Sequence, residues 1–305
     1  MHFSFYNHAK RDYATLSVAM ERSDFMLSRR QFLKGAVAVG IAGFAANSIL
    51  YEPRRIIVER KTISINNLPD VFEGFRICQI TDVHHGPFVS LNFVKEIVDI
   101  VDRLSPDLVA LTGDYVDYSH KYITPAVTAL CRFKPQYGII SILGNHDHLA
   151  DAELTREVFD RNKIPVITNS HKLIEVKNNA ICIAGVGDLL EDTQDLKAAL
   201  YGVPPDIPRI LLSHNPDYAE VVPETERVDL VLAGHTHGGQ VRLPFLSIAP
   251  ITQSHYGQKY AGGLVRLSHT QVYVSRGVGM VGLPVRFNCP PEISMITLTK
   301  AVHRV

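Results

Sequence analysis

Ser141-Ile142-Leu143-Gly144-Asn145-His146-Asp147-His148 is the stretch on which the fold turns. It reads as a buried strand, Tyr137 to Leu143, that meets a glycine and then spills polar groups. Asn, His and Asp directly after a strand make poor core. They suit metal binding and proton transfer at the carboxyl edge of an α/β sheet, where ligands gather. The same grammar recurs four times. Phe75–Ile80 ends in Thr81-Asp82-Val83-His84, and Leu108–Leu111 ends in Thr112-Gly113-Asp114. Arg209–Leu212 ends in Ser213-His214-Asn215, and Asp229–Leu232 ends in Ala233-Gly234-His235-Thr236-His237. Five hydrophobic strands that each empty onto Asp, Asn or His describe one site assembled from many loops.

The 305 residues are enough for one large domain with a full core. Basic and acidic side chains balance at 31 each, so bulk charge gives no reason to expect a nucleic-acid partner. The cysteines, Cys78, Cys131, Cys182 and Cys289, form no C-x-x-C pair and read as single buried thiols.

Met1–Leu27 is polar and poorly periodic and reads as a disordered lead, with Met26 as an alternative start. Ser28-Arg29-Arg30-Gln31-Phe32-Leu33-Lys34 then precedes the uncharged run Gly35–Leu50. Paired arginines before a Gly/Ala-rich apolar segment form a twin-arginine export signal, a receptor-read address that brings the translocation machinery in as a partner. The run is shorter than the roughly 20 residues of a comfortable span. Gly43-Phe44-Ala45 and Ala46-Asn47-Ser48 fit poorly as cleavage sites, which leaves retention as a membrane anchor open. Residues 1–50 are thus lead and signal or anchor, and 51–305 the domain, placed in the periplasm or on the outer face of the cytoplasmic membrane.

Within the domain, alternation over Tyr51–Asn67 predicts one or two edge strands. Val94, Ile97, Val98, Val101 and Leu104 at helical spacing predict a helix over Ser90–Leu104, and further helices are expected at Ile123–Phe133 and Asp151–Asn162. Strands follow at Lys172–Val176 and Ala180–Ala184, a short helix near Gln194–Leu200, and strands at Gln240–Leu243, Gly263–Leu267, Val272–Ser275 and Ile293–Leu298. The alternation predicts an α/β class, α+β in some schemes, with two sheets and helices outside.

Asp, Asn and His together suit divalent manganese, zinc or iron. Asp82, His84, Asp114, Asn145, His214, His235 and His237 are more ligands than one ion needs and divide between two ions sharing a carboxylate. Two metals about 3.5–4 Å apart can hold a hydroxide nucleophile and clamp a phosphoryl group. His146 is surplus to that set and free to protonate a leaving oxygen. Asp147 is its expected orienting carboxylate.

The order D-x-H, G-D, G-N-H-D, H, G-H-T-H, from Asp82 to His237, resembles the signature of calcineurin-like metallophosphoesterases. The resemblance implies a four-layer αββα sandwich of two mixed sheets. It also implies that Asp82, His84, Asp114 and His237 hold one ion and Asp114, Asn145, His214 and His235 the other. Tyr118-Ser119 and Leu143 stand where protein serine/threonine phosphatases carry phosphate-gripping arginines, and Asp117 stands where purple acid phosphatases carry a tyrosine ligand. The twin-arginine segment, G-H-T-H-G-G-Q and the tail from Ser275 to Ile293 are similar to the bacterial YkuE/YaeI-like phosphodiesterases. Related members cleave UDP-2,3-diacylglucosamine in lipid A synthesis, which implies a lipid-linked phosphodiester or pyrophosphate substrate. A nucleotide phosphodiesterase, or a noncatalytic metal-binding envelope protein, is the alternative; retention of His146 favours the enzyme. Arg276 and Arg286 are the remaining cations for a substrate phosphate, and each serves equally as an ion-pair partner. His85 and His148 lie near enough in sequence to line the cleft, and 243–262 is either a cap or a long connection.

Overall fold

The computed structural model describes residues 28–301, so the reading of Met1–Leu27 as a lead lies outside the described residues. The chain divides between Gly43 and Phe44. On the N-terminal side, helix α1 (Arg29–Ala46) starts with a reciprocal cap: Ser28 Oγ accepts the Gln31 N–H and Gln31 Oε1 accepts the Ser28 N–H. No residue of α1 is buried. With its continuation the helical segment runs Arg29–Arg54 and is long and apolar enough to cross a membrane, further than the uncharged run alone predicts.

The second unit begins at Phe44; Ser48 and Glu52 are buried in it, and Glu52 Oε1 accepts the Cys289 N–H at 2.6 Å. Its elements are β1 (Ile57–Ile65), β2 (Arg76–Ile80), α2 (Leu91–Leu104), β3 (Leu108–Thr112), α3 (Ile123–Leu130), β4 (Ile139–Ile142), α4 (Asn145–Arg161), β5 (Ser170–Val176), β6 (Asn179–Gly185), α5 (Leu196–Ala199), β7 (Arg209–Leu212), β8 (Leu230–Ala233), β9 (Gly263–Arg266), β10 (Gln271–Val274) and β11 (Glu292–Lys300). One sheet has the order β1-β11-β2-β3-β4 and the other β5-β6-β7-β8-β10-β9. Both are mixed: β2, β3 and β4 run parallel, as do β6, β7, β8 and β10, with antiparallel pairs at β11–β2, β5–β6 and β10–β9.

Side-chain alternation sorts the core into layers. Ile77, Leu108, Ala110, Ile210, Leu212, Leu230 and Leu232 meet between the sheets. Cys78, Ile80, Val109 and Leu111 point the other way onto α2, α3 and α4. Cys182, Ala184, Leu211 and Val231 face α5 and the 3₁₀ turn Pro216–Val221. The architecture is therefore the expected αββα sandwich. Strands covered on both faces read as unbroken apolar runs, which is why they stand out in the sequence.

Two elements differ from expectation. Helix α4 begins at Asn145, not Asp151. Asp151 leaves helical geometry and its Oδ1 caps the Leu154 N–H at 2.9 Å, so the predicted start is the cap of a second helical segment. Gln240–Leu243 forms no ladder; Val241 makes only an isolated bridge to Phe287. The cysteines are all free, as expected.

Gln79 joins the sheets beneath the strand ends. Its Nε2 donates to Thr112 Oγ1 at 3.0 Å and to Ala233 O at 2.9 Å. Replacing Gln79 by Met removes both bonds; Ala233 O keeps the Ser275 N–H at 2.9 Å, but the buried Thr112 hydroxyl loses this donor, at about 1–3 kcal/mol. The Gln79→Met variant is expected to melt several degrees lower while its metal content stays at the wild-type level. Calorimetry showing an unchanged midpoint would remove the proposed tie between the sheets.

Candidate metal centre

The carboxyl ends of β2, β3, β4, β7 and β8 converge, and each delivers polar residues from the turn that follows. Asp82, His84, Asp114, His235 and His237 all sit at positive φ, between 46° and 67°. Such conformations cost non-glycine residues about 1–3 kcal/mol and persist only where surroundings over-determine them. Here packing is tight enough to do so. A β-carbon at Gly144 would collide with Asp114 Oδ1, and one at Gly234 would collide with Asp82 Oδ2.

Asp114 has its two oxygens divided. Oδ1 accepts the His146 N–H at 2.9 Å, in the first turn of α4. Oδ2 faces His214 Nε2 at 3.2 Å and His84 Nε2 at 3.4 Å. His214 Nδ1 lies 2.8 Å from Thr112 O and so carries the proton that it donates there. Nε2 then faces the carboxylate oxygen of Asp114. A positive charge must lie between them, either a proton on Nε2, which the nearby carboxylate favours, or a metal ion that takes the place of that proton. His84 Nε2 and His237 Nε2 lie 3.0 Å apart, with Asp82 Oδ1 3.3 Å from the latter, and both rings have a buried Nδ1 without a partner. His235 Nδ1 meets Asn145 Oδ1 at 3.1 Å. Thus all seven expected ligand residues are brought together, around Asp114 Oδ2 on two sides. His146 also falls within a group with His84 and Asp114 that could hold an ion.

The electrostatics point the same way. Burial lowers His84 and His235 to about 3, keeping them as the neutral imidazoles that bind metals. His237 is likewise pushed well down by burial and by His84. Burial, with the charge of Asp114 added, raises Asp82 and Asp147. Burial would raise Asp114 too, but His214 and His84 overcome it and hold it below the carboxylate range. Burial would lower His214, but Asp114 outweighs it and raises His214 well above its ordinary value. The buried carboxylates thus demand positive charge, and among the described residues no lysine or arginine pairs with them; their ion pairs are with histidines. The donor set fits two divalent ions.

Asp147 does not orient His146. Its carboxylate accepts the N–H groups of Asp114 (2.8 Å), Tyr115 (2.9 Å) and Gly144 (3.0 Å), locking the turns after β3 and β4 together. The group facing His146 Nδ1 is Asp117, through its carbonyl at 3.3 Å and its carboxylate at 3.7 Å. The His146 ring stands edge-on to His84 at 4.6 Å and tilts on Tyr118 at 4.5 Å. The sequence carried a signal for Asp117, an acid three residues past Asp114, but nothing that distinguished it from Asp147.

Arg276 and Arg286, open in the sequence to either a substrate phosphate or an ion pair, are both engaged within the protein. Arg286 is fully buried and donates to the carbonyls of Arg276, Gly277, Gly279 and Cys289. Arg276 pairs with Glu292 at 2.9 Å and Glu59 at 3.5 Å. His85 Nδ1 is turned to Val89 O, and His148 faces Asp192 at 3.6 Å. Beside His237 opens a cavity of about 480 Å³. Val241, Pro250, Ile251, Val281, Leu283 and Val285 form its apolar wall. Thr236 contributes a buried hydroxyl with no partner.

These placements separate two roles by mutation. Asp147→Asn turns an acceptor of three N–H groups partly into a donor, losing charge-assisted bonds worth about 1.5–3 kcal/mol each. It is expected to lower thermal stability and metal affinity, and to slow good and poor leaving groups equally. Asp117→Asn should keep both metals and slow poor leaving groups more. A leaving-group-dependent defect in Asp147→Asn alone would restore Asp147 as the partner of His146.

Comparison with known proteins agrees with this geometry. Residues 75–239 match the family model for the calcineurin-like phosphoesterases. The uncharacterized metallophosphoesterase YkuE of Bacillus subtilis is 34% identical over 282 residues, covering 89% of this chain and 98% of that protein. The phosphodiesterase YaeI of Escherichia coli is 32% identical, covering 90% of this chain and 100% of its own length. A transmembrane protein with a metallophosphoesterase domain from Danio rerio is 31% identical, covering 92% and 69% respectively. The chain belongs to the calcineurin-like phosphoesterase family and is a hydrolase acting on phosphoester bonds.

Proposed function

We propose that the site is a dinuclear centre of manganese, zinc or iron that hydrolyses a phosphodiester or pyrophosphate in a membrane or envelope lipid, of the chemical kind of UDP-2,3-diacylglucosamine or a phospholipid. Asp82, His84, Asp114 and His237 would hold one ion, and Asp114, Asn145, His214 and His235 the other. The observation that carries the reading is Asp114 Oδ2, flanked by His214 Nε2 at 3.2 Å and His84 Nε2 at 3.4 Å. When bound, two such ions supply a water nucleophile at neutral pH and stabilise charge on the phosphoryl oxygens.

The chain's own residues do the rest. His146, held at Nδ1 by Asp117, donates a proton to the leaving oxygen, worth about 10²–10⁴-fold. The unpaired Thr236 hydroxyl is available to a polar headgroup, and the apolar wall beside it suits an acyl chain. With Arg276 and Arg286 engaged elsewhere, the substrate phosphate relies on the ions rather than on guanidinium groups. The reading further takes Arg29-Arg30 and α1 as a twin-arginine signal that is retained as an anchor on the outer side of the cytoplasmic membrane.

Asp114→Asn should abolish hydrolysis of bis(p-nitrophenyl) phosphate and weaken both ions together, because one neutralised carboxylate is felt at two sites. His146→Ala should keep both ions and lose far more rate on alkyl esters than on nitrophenyl esters. Elemental analysis finding two ions at full occupancy in Asp114→Asn would refute the shared ligand, and equal rate ratios for His146→Ala would refute the proton donor.

Arg29→Lys/Arg30→Lys should leave the protein in the cytoplasm. Normal appearance of this variant outside the membrane, followed by fractionation, would reject the export reading.

A further inference from the structure

The rim of the cavity carries an apolar surface that the chemistry of the site does not use. Leu243 N–H donates to Ile248 O at 2.8 Å and closes a tight loop whose tip is Pro244-Phe245-Leu246-Ser247. Phe245 is completely exposed, at 103%, and holds a left-handed backbone at φ 66°. Leu246 is 65% exposed, Ile251 76% and, across the cavity mouth, Leu283 71%. A phenylalanine at a strained, fully hydrated tip has no favourable role in water: both its surface and its backbone cost free energy there. The base of the loop is rigid by contrast. Arg242 donates to Gly238 O and Ala261 O, and Ala249 N–H donates to Gln258 Oε1 at 3.0 Å. A pinned base with an apolar tip presents the tip rather than burying it.

Three observations identify what covers it. First, the two segments that form the surface carry no acid of their own: no Asp or Glu occurs from Gln240 to Gly263 or from Arg276 to Cys289. Second, the rim is continuous with the point where the chain enters the domain. The Phe44 ring lies 4.5 Å from the Phe287 ring, and Phe287 pairs with Val241 in the cavity wall. Third, length leaves little slack, because Ser48 and Glu52 in the later part of the helical segment Arg29–Arg54 are buried in the catalytic unit and only α1 remains for a span. α1 has 18 residues, about 27 Å at 1.5 Å per residue, against a hydrocarbon thickness of about 30 Å. Phe44 follows within that helix, so a membrane-spanning α1 holds Phe44, and the loop at Phe287 packed on it, at the depth of the lipid interface.

We infer that the loop Leu243–Ile251, together with Leu283, is a membrane-docking surface seated at the boundary between headgroups and acyl chains, with the cavity mouth opening onto the bilayer. The inference rests on the reading of α1 as a retained anchor. Such a surface lets a phosphoester headgroup reach the metal centre from the bilayer while its acyl chains stay in apolar surroundings throughout.

The chain has no tryptophan, so one indole reports one place. The full-length protein carrying Phe245→Trp would be reconstituted into phosphatidylethanolamine/phosphatidylglycerol vesicles with brominated acyl chains. Tyr201→Trp serves as the comparison; Tyr201 is 84% exposed and precedes the amino end of β7, opposite the site. The Phe245→Trp emission is expected to be largely quenched and blue-shifted, and the Tyr201→Trp emission unaffected. In parallel, Phe245→Asp/Leu246→Asp is expected to lose activity on a vesicle-embedded phosphodiester while hydrolysing soluble bis(p-nitrophenyl) phosphate at the wild-type rate. An unquenched, solvent-like indole at position 245 would overturn the docking surface and leave the patch to a protein partner. Quenching at 245 without any turnover of vesicle-embedded substrate would uphold the surface and reject the lipid substrate instead.

Discussion

The carboxylate of Asp147 accepts N–H groups from Gly144, Asp114 and Tyr115, and through them it fixes the turn after β3 against the turn after β4. Much of the site depends on that clamp. It presents Asp114 in a left-handed conformation, sets Asn145 and His146 in the first turn of α4, and lets the His146 N–H take one oxygen of Asp114. The other oxygen is left facing imidazole nitrogens. A buried acid that never meets the substrate thereby determines where the positive charge must go.

The two sheets make this clamp possible. Parallel strands from both place their carboxyl ends at one edge, and three apolar layers hold them in register. Gln79 adds a polar tie close under that edge, where apolar packing gives way to ligands. Backbone strain at Asp82, His84, Asp114, His235 and His237 is thus supported from below by strands that cannot shift. The backbone of the cluster is fixed by the protein's own packing and hydrogen bonds.

Much of this was legible in the sequence because burial on both faces leaves unbroken apolar runs, and polar residues at their ends have few structural reasons to be there. Strand Arg209–Leu212 and the core of helix Leu91–Leu104 read directly. The first turn of α4 did not, since Asn145-His146-Asp147-His148 shows no apolar periodicity and Asp151 looks like a cap, which it is. The partner of His146 was illegible for a different reason. Asp147 is its sequence neighbour, but helical geometry turns the two side chains to different places, while Asp117 arrives from another loop. The arginines left two readings open, substrate cation or ion-pair partner, because sequence alone does not show the carboxylates beside Arg276 or the carbonyls that enclose Arg286.

The short helical stretch after Gly43 belongs physically to the catalytic unit. Ser48 O accepts the Arg286 N–H at 3.0 Å, Glu52 Oε1 accepts the Cys289 N–H, and Phe44 covers Phe287. Gly277 and Gly279, whose carbonyls Arg286 holds, lie against Asp82 and Val83. Maturation by a peptidase at Ala45 or Ser48 would therefore do more than release a leader. It would strip the cover from Phe287 and, at Ser48, place a new charged amino terminus close to Glu52 and the Arg286 loop. The turn that bears Asp82 lies two layers of contacts away, so a cut at either position would reach into the packing of the catalytic unit itself.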